Sequence, residues 1–408
     1  MKNWDKVLLR PLLSFGFLMG SVASAASMDS GAMRDVLLVG NNWEGTADVI
    51  DVKDYSRLLR INVIPDLEDR MNEIKKNPVH WIAYQFIRSQ VGEGHDQFVD
   101  DMYASIDGQE IYVSRPSFGD VVAINVATGA IRWRTRVAGF RADHMAISPD
   151  GKRLVVSAST AKVAHIIDTS SGSILVDVPT GAQPHENVFT KDGSKIINSA
   201  IGSIFTSFDE PWMDWTKGDR YIQIVDAQSM QVLRKIKMGE KLAEFGLKDM
   251  SSAVRPMAIS PDERFLFVQV SFFHGFIEYD LELDKVTRVA HLPMSDEASQ
   301  LDRKDYVLDS AHHGIAMSGD GTKLCVAGTM SNYAAIVSRE TFSYRIHPLG
   351  ARTYWATTSA DGNYCYVSVA GDNTVSVLSY ATEEEVARIP VGYHPQRARV
   401  GRLAEAVL

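Results

Sequence analysis

Cysteine is almost missing from this chain: among 408 residues only Cys325 and Cys365 are present. Two cysteines exclude a disulfide-built scaffold and any zinc centre held by cysteine alone. There is no C-x-x-C-H stretch, so covalent c-type haem is excluded as well. Positive charge is also in short supply. Lys and Arg number 42 against 51 Asp and Glu, a formal net charge of −9, and no basic stripe stands out. That balance argues against nucleic acid as a partner. No G-x-S-x-G elbow, H-E-x-x-H pair or phosphate loop occurs, which removes support for serine hydrolase, zincin and nucleotide readings. Beyond the N-terminus no apolar run reaches the roughly 18 to 20 residues that a membrane span needs.

The N-terminus has the layout of a secretory signal. Lys2, Lys6 and Arg10 are followed by the apolar LLSFGFLMGSVA (12–23), and Ala23-Ser24-Ala25 supplies a small-residue cleavage site. Residues 1–25 are therefore expected to be removed, leaving 26–408 as one periplasmic or secreted domain.

A phrase recurs through what remains. It reads SIDGQEIYVS (105–114), AISPDGKRLVVS (146–157), FTKDGSKIINS (189–199), AISPDERFLFVQ (258–269), AMSGDGTKLCVA (316–327) and TTSADGNYCYVS (357–368). The turn positions Gly108, Gly151, Gly193, Glu263, Gly321 and Gly362 stand 43, 42, 70, 58 and 41 residues apart. Each phrase leads into further short β-rich runs, such as VVAINVATGAIRWRTRV (121–137), giving four strands per unit. A repeat near forty residues with four strands is the signature of a propeller blade. Six units have their own first strand. A seventh is split: 36–65 supplies strands two to four, and GYHPQRARV (392–400) supplies the first. The expected fold is all-β, a seven-bladed propeller closed by pairing the two ends of the chain.

The S-P-D-G-x-x-L-x-V phrase, the D-x-x-T/S-G turn and the V-x-x-I-P-V-G ending resemble the YVTN repeat family, whose bacterial members include YncE-like exported propellers. The resemblance covers most of 36–400 and implies a seven-bladed propeller. This chain departs from a plain member by its long insertions. Residues 64–96, 240–252 and 294–310 follow fourth strands, and 202–219 follows a second strand. Loops after strands two and four lie on one face of the disc, so all of these crowd one side, as loops that build a pocket or docking surface do. DLEDRMNEIKK (66–76) and HWIAYQFIRSQ (80–90) within the first insertion read as amphipathic helices.

Aligning the repeats brings one position to the start of every first strand, on the insertion face. It holds Asp100, Asp143, His185, Arg255, His313, Tyr354 and Gln396, with His144, Glu186, His312, Trp355 and His394 beside it. First strands line a propeller channel, so these side chains converge on the axis. His185 and His313 suit proton transfer, and Arg255 and Tyr354 suit an oxyanion or a substrate carboxylate, giving four candidate catalytic residues. Asp100, Asp143, His144, Glu186, His394 and Gln396 are candidate ligand contacts. Trp212 and Trp215 in the 202–219 insertion could stack on a ligand. His185, His313 and Asp143 are candidate ligands for a divalent metal. Against a metal, the two ring histidines sit two blades apart without H-x-H spacing.

The expected function is binding of a small polar or anionic ligand at the top of the channel, with lactonase- or lyase-type chemistry as its catalytic form. Lactonases, streptogramin lyases and muconate-type cyclising enzymes are similar in architecture only. The alternative is a non-catalytic scaffold for a periplasmic protein, or the propeller subunit of a quinoprotein amine dehydrogenase. For the cysteines, Cys325 follows its turn glycine by four residues and Cys365 by three. That offset reverses side-chain direction on a strand and argues against a disulfide.

Overall fold

Each repeat folds as the sequence pattern predicts, into a four-stranded antiparallel sheet, and seven such blades form a ring. The computed structural model describes residues 31–204 and 209–408. The signal sequence at 1–25 and part of the 202–219 insertion lie outside the described residues. We number the blades in chain order: 102–136, 142–179, 184–236, 254–291, 314–348 and 353–390, then the closing blade. In that last blade the strand Pro395–Ala404 pairs antiparallel with Met33–Asn41, from Met33 opposite Ala404 to Asn41 opposite Pro395. Consecutive first strands touch around the whole circle, so no first strand is left at an open edge.

The repeated phrase owes its form to a turn. In each copy a Ser or Thr hydroxyl donates to the Asp carboxylate two residues on, as Ser105 does to Asp107 and Ser148 to Asp150. The residue after the Asp has a positive φ, +66° at Gly108 and +68° at Gly151, which glycine takes without steric cost. Between turns, the inner strands are buried on both faces because blades stack face to face. This is why VLLVGN and LVVSA read as continuous apolar runs rather than alternating ones. Each apolar cluster accordingly joins two neighbouring blades, as Val36, Leu38 and Val49 of the closing blade pack with Ile111, Val113 and Val122 of blade one.

The expectation for the cysteines is overturned. Cys325 and Cys365 form a disulfide, with Cα atoms 6.4 Å apart. They occupy second strands of blades five and six. Opposite side-chain directions would separate two residues of one sheet. Between stacked sheets they are required, because the front of one blade meets the back of the next.

The insertions supply the helices. Helix α1 (Leu67–Lys76) and helix α2 (Pro78–Gln90) follow the last strand of the closing blade, close to the limits read from sequence. Pro78 opens α2, and the Asn77 side chain accepts from the backbone N–H groups of Val79 and His80. Tyr84 anchors the helix from its buried face by donating to Asp96. Helix α3 (Met238–Glu244) and the short helix α4 (Asp296–Ser299) complete the set on the insertion face.

Removing the disulfide should cost stability without altering the fold. A crosslink spanning 40 residues restricts the unfolded chain by about 4 kcal/mol. Cys325→Ala with Cys365→Ala should therefore lower Tm by about 5 °C in a thermal melt. An unchanged Tm would show that the blade interface needs no staple.

Candidate functional site

All seven ring residues line a single cavity of about 70 Å³ on the insertion side of the channel. The geometry that brings them there is a recurring irregularity. The pairing register shifts at the start of the first strand between Ala142 and Met145, Pro184 and Asn187, Val254 and Met257, and Thr353 and Trp355. Such bulges re-aim side chains that a regular strand would send to opposite faces. Asp143 and His144 are consecutive, yet both face the cavity. Where the strand begins later, alternation holds: His313 faces the cavity, while His312 turns aside and bonds the Tyr333 hydroxyl at 3.1 Å.

The lower wall is charged and aromatic. Arg397 donates to Asp100 at 2.6 Å, and Arg141 pairs with Asp143. His144 and His185 lie with ring centroids 3.9 Å apart, His185 and His313 5.7 Å apart, and Tyr354 stacks on His313 at 4.4 Å. The upper wall is hydrocarbon, contributed by the insertions: Phe86 and Ile87 of α2, Val91, Ile204 and Leu308. Ile201 adds to it from the end of the second strand of blade three. Leu308 is held in place by a left-handed turn, with φ +48° there and +60° at Asp309.

Several polar atoms in this wall have no hydrogen-bond partner although fully buried: Asp100 Oδ2, His185 Nδ1, His313 Nδ1 and Arg255 Nη2. Arg255 stands apart among them. It is 1 % exposed, its Nε donates to Ser271 Oγ at 2.9 Å, and it makes no ion pair among the described residues. Burial lowers its pKa, and the Asp309 and Asp209 carboxylates oppose this only from beyond ion-pair distance. Burial also drives the three cavity histidines, His144, His185 and His313, well below their usual pKa, so they are neutral bases. It pushes Asp100 up to about 7, with Arg397 opposing.

Sequence reasoning missed two arginines of the wall, Arg141 and Arg397. The signal for Arg397 was present, because it follows Gln396 as His144 follows Asp143 and Glu186 follows His185. Four candidate ligand contacts are placed elsewhere. Trp212 and Trp215 lie in a short 3-10 turn, 74 % and 83 % exposed, and line no part of the cavity. Their turn is fixed by polar contacts, Arg220 to Asp209 and Ser252 to Asp214, which leaves the indoles no packing role at the axis. His394 stacks on Trp43 at 3.5 Å, with His95 on that indole's other face. Glu186 lies beneath the cavity floor, bonded to His144 Nδ1 at 2.6 Å.

Two triplets bring metal-ligating atoms within 4.8 Å of one another: His144, His185 and Glu186, and Asp100, Asp143 and His144. His185 and Asp143 of the three metal candidates from sequence fall in them, and His313 does not. These donors are already committed. The aspartates hold Arg397 and Arg141, Glu186 holds His144, and Arg397 contacts the other nitrogen of His144. Three guanidinium groups face the cavity against two carboxylates, so the local field favours an anion over a cation.

No protein-family model and no curated protein sequence matches the chain. Its fold is similar to that of solved structures. One is hydrazine synthase of Kuenenia stuttgartiensis, at 17% identity and a TM-score of 0.58, covering 84% of this chain and 92% of that one. Another is dihydro-heme d1 dehydrogenase NirN in complex with DHE, at 10% identity and a TM-score of 0.55, covering 89% and 74%. At these identities the likeness is one of fold.

The buried groups set a pH profile for stability. His144, His185 and His313 are held well below 6.5, His274 at about 4, and His312 and His394 at about 3. Below about pH 6.5 the unfolded chain takes up protons that these residues refuse when folded, so stability falls as pH drops. Asp100 at about 7 and Glu186 at about 8 act oppositely. Folded, they hold protons that the unfolded chain has already lost, so their contribution declines as pH rises towards 8. A Tm series should peak near neutrality and fall on both sides. A Tm that climbs steadily from pH 6 to 9 would contradict the burial of these carboxyls.

Proposed function

We propose that the protein binds a small organic anion in the upper channel cavity, with the anionic head at Arg255 and an apolar portion beneath the lid. The observation that carries this is the buried, unpaired guanidinium of Arg255. A cation taken out of water without a counter-ion costs several kcal/mol, and the fold keeps it where a ligand's charge would meet it. His185 and His313 flank the same space as neutral imidazoles, so the catalytic form of this reading gives one of them the role of base. The hydrocarbon roof selects for an acid with a short non-polar tail over a bare inorganic ion. Membership of the YVTN-type exported propellers and a periplasmic setting belong to the same proposal, supported by the repeat phrase and the N-terminal signal pattern.

A second reading has one observation in its favour. Val79 and Ile82 of α2 and both Trp212 and Trp215 are strongly exposed on the insertion face, as on a face that docks a protein partner.

The test is a thermal-shift and calorimetric screen with acetate, propionate, benzoate and sulfate. Carboxylates with a short tail should raise Tm more than sulfate does. Arg255→Met should weaken that binding at least about 30-fold, since truncating one member of a buried charge pair costs about 2 kcal/mol or more. It should leave Tm of the free protein unchanged or higher, because an uncompensated charge has been removed. Binding that survives Arg255→Met would overturn the proposal. So would a large fall in Tm, which would make Arg255 a structural residue.

A further inference from the structure

Among the described residues the channel holds two separate cavities. Below the upper cavity lies a septum, and below that a wider vestibule of about 380 Å³ that reaches the short-turn side of the disc. Arg397 forms part of the septum, its guanidinium 4.6 Å from the centre of the Trp355 ring. The other part is a pair with one member on each side: His144 lines the upper cavity, and Glu186 lines the lower vestibule. They are joined by the 2.6 Å contact between His144 Nδ1 and Glu186 Oε2.

We propose that His144 and Glu186 form a proton path through the septum, linking the lidded cavity to solvent at the opposite face.

The protonation pattern follows from donors and acceptors. Arg397 Nη2 contacts His144 Nε2 and lies 3.1 Å from Nδ1; a guanidinium can only donate, and the nearer nitrogen, Nε2, accepts from it. Nε2 therefore carries a lone pair, and the single N–H of the neutral ring sits on Nδ1, facing Glu186. Transfer downwards needs Nε2 to be freed. Asp100 provides for this: its Oδ1 already accepts from Arg397 Nη1, and its Oδ2 is buried without a partner. Turning Nη2 onto Oδ2 would make that pair two-pronged and uncover Nε2. With Glu186 ionised, a proton from the cavity then forms an N–H bond at Nε2, the N–H bond at Nδ1 breaks, and an O–H bond forms on Glu186. Glu186 releases its proton to water in the vestibule, and rotation of the imidazole returns an N–H to face the carboxylate. One proton enters, one leaves, and no electrons move.

The groups around the pair are Asp143, 3.8 Å from His144 Nε2, the rings of His185 and Trp355, and below them Arg399 with Asp101. Burial pushes Glu186 up to about 8, with Arg399 and Arg397 opposing, so it can hold and release a proton near neutrality. A lidded cavity with neutral bases has no other carboxyl bridging the two compartments among its lining residues. The inference needs no ligand and stands whether or not the cavity takes an anion.

The experiment is hydrogen exchange at the His144 Nδ1–H, followed by NMR on protein labelled with ¹⁵N-histidine, the signal being assigned by its loss in His144→Gln. Glu186→Gln keeps an oxygen that accepts from Nδ1–H but cannot carry a proton onward. Exchange should slow at least tenfold in Glu186→Gln, with Tm close to wild type. Glu186→Asp withdraws the carboxylate by one methylene and should slow exchange by a smaller factor, which keeps the test available if the Gln variant folds poorly. Exchange within twofold of wild type in the folded variants would overturn the path and leave Glu186 as a positioning residue for His144.

Discussion

The antiparallel pairing of Pro395–Ala404 with Met33–Asn41 is the interaction on which the rest of the molecule depends. Without it the closing blade has three strands, two blades face water, and the ring has an edge. The same strand carries Gln396, Arg397 and Arg399 to the axis. Arg397 meets Asp100, and Arg399 meets Asp101, at the entry to blade one, nearly three hundred residues away in sequence. Ring closure and assembly of the site are therefore one event. The cavity has its full set of charges only in the closed molecule.

Closure explains how so many charged groups can stand at the centre of a protein. Arg397 is wholly buried, but it is shared between the Asp100 carboxylate, the His144 ring nitrogen and the Trp355 ring. Arg399 is held by both oxygens of Asp101 and lies over the same indole. Both cations of the closing strand therefore have their carboxylate partners at the entry to blade one, across the closing interface. Arg255 is the exception: Ser271 fixes it, and among the described residues no carboxylate reaches ion-pair distance.

Much of this was legible in the sequence, and most of the failures share one cause. The repeat phrase defines the turns, the turns define the strands, and the alignment of strand starts names seven residues of the cavity wall, one from each blade. The helix at 80–90 was read from its apolar spacing and does form the lid. What failed was the assumption of strict alternation along a strand. Bulges at the strand starts turn consecutive residues such as Asp143 and His144 to the same side, and the same regularity hid Arg397 beside Gln396. It also misjudged Cys325 and Cys365, whose relation is between sheets rather than within one. Trp212 and Trp215 failed for a different reason. Residue type suggested a stacking surface, but their position is fixed by the polar contacts of the insertion, which sequence spacing does not reveal.

The bond between Cys325 and Cys365 also determines how the molecule would carry mechanical load. Force applied along the backbone takes the covalent shortcut, and the stretch between the two cysteines is bypassed. That stretch contains the outer half of blade five and the first strand of blade six, which carries Tyr354 and Trp355. The seam of the closing blade has no such covalent shortcut and is held by backbone pairing, the Arg402–Asp35 and Arg34–Glu405 ion pairs and the packing of Leu403 and Ala398. Under tension the first strand of blade six, with Tyr354 stacked on His313, is shielded from the load that the disulfide carries.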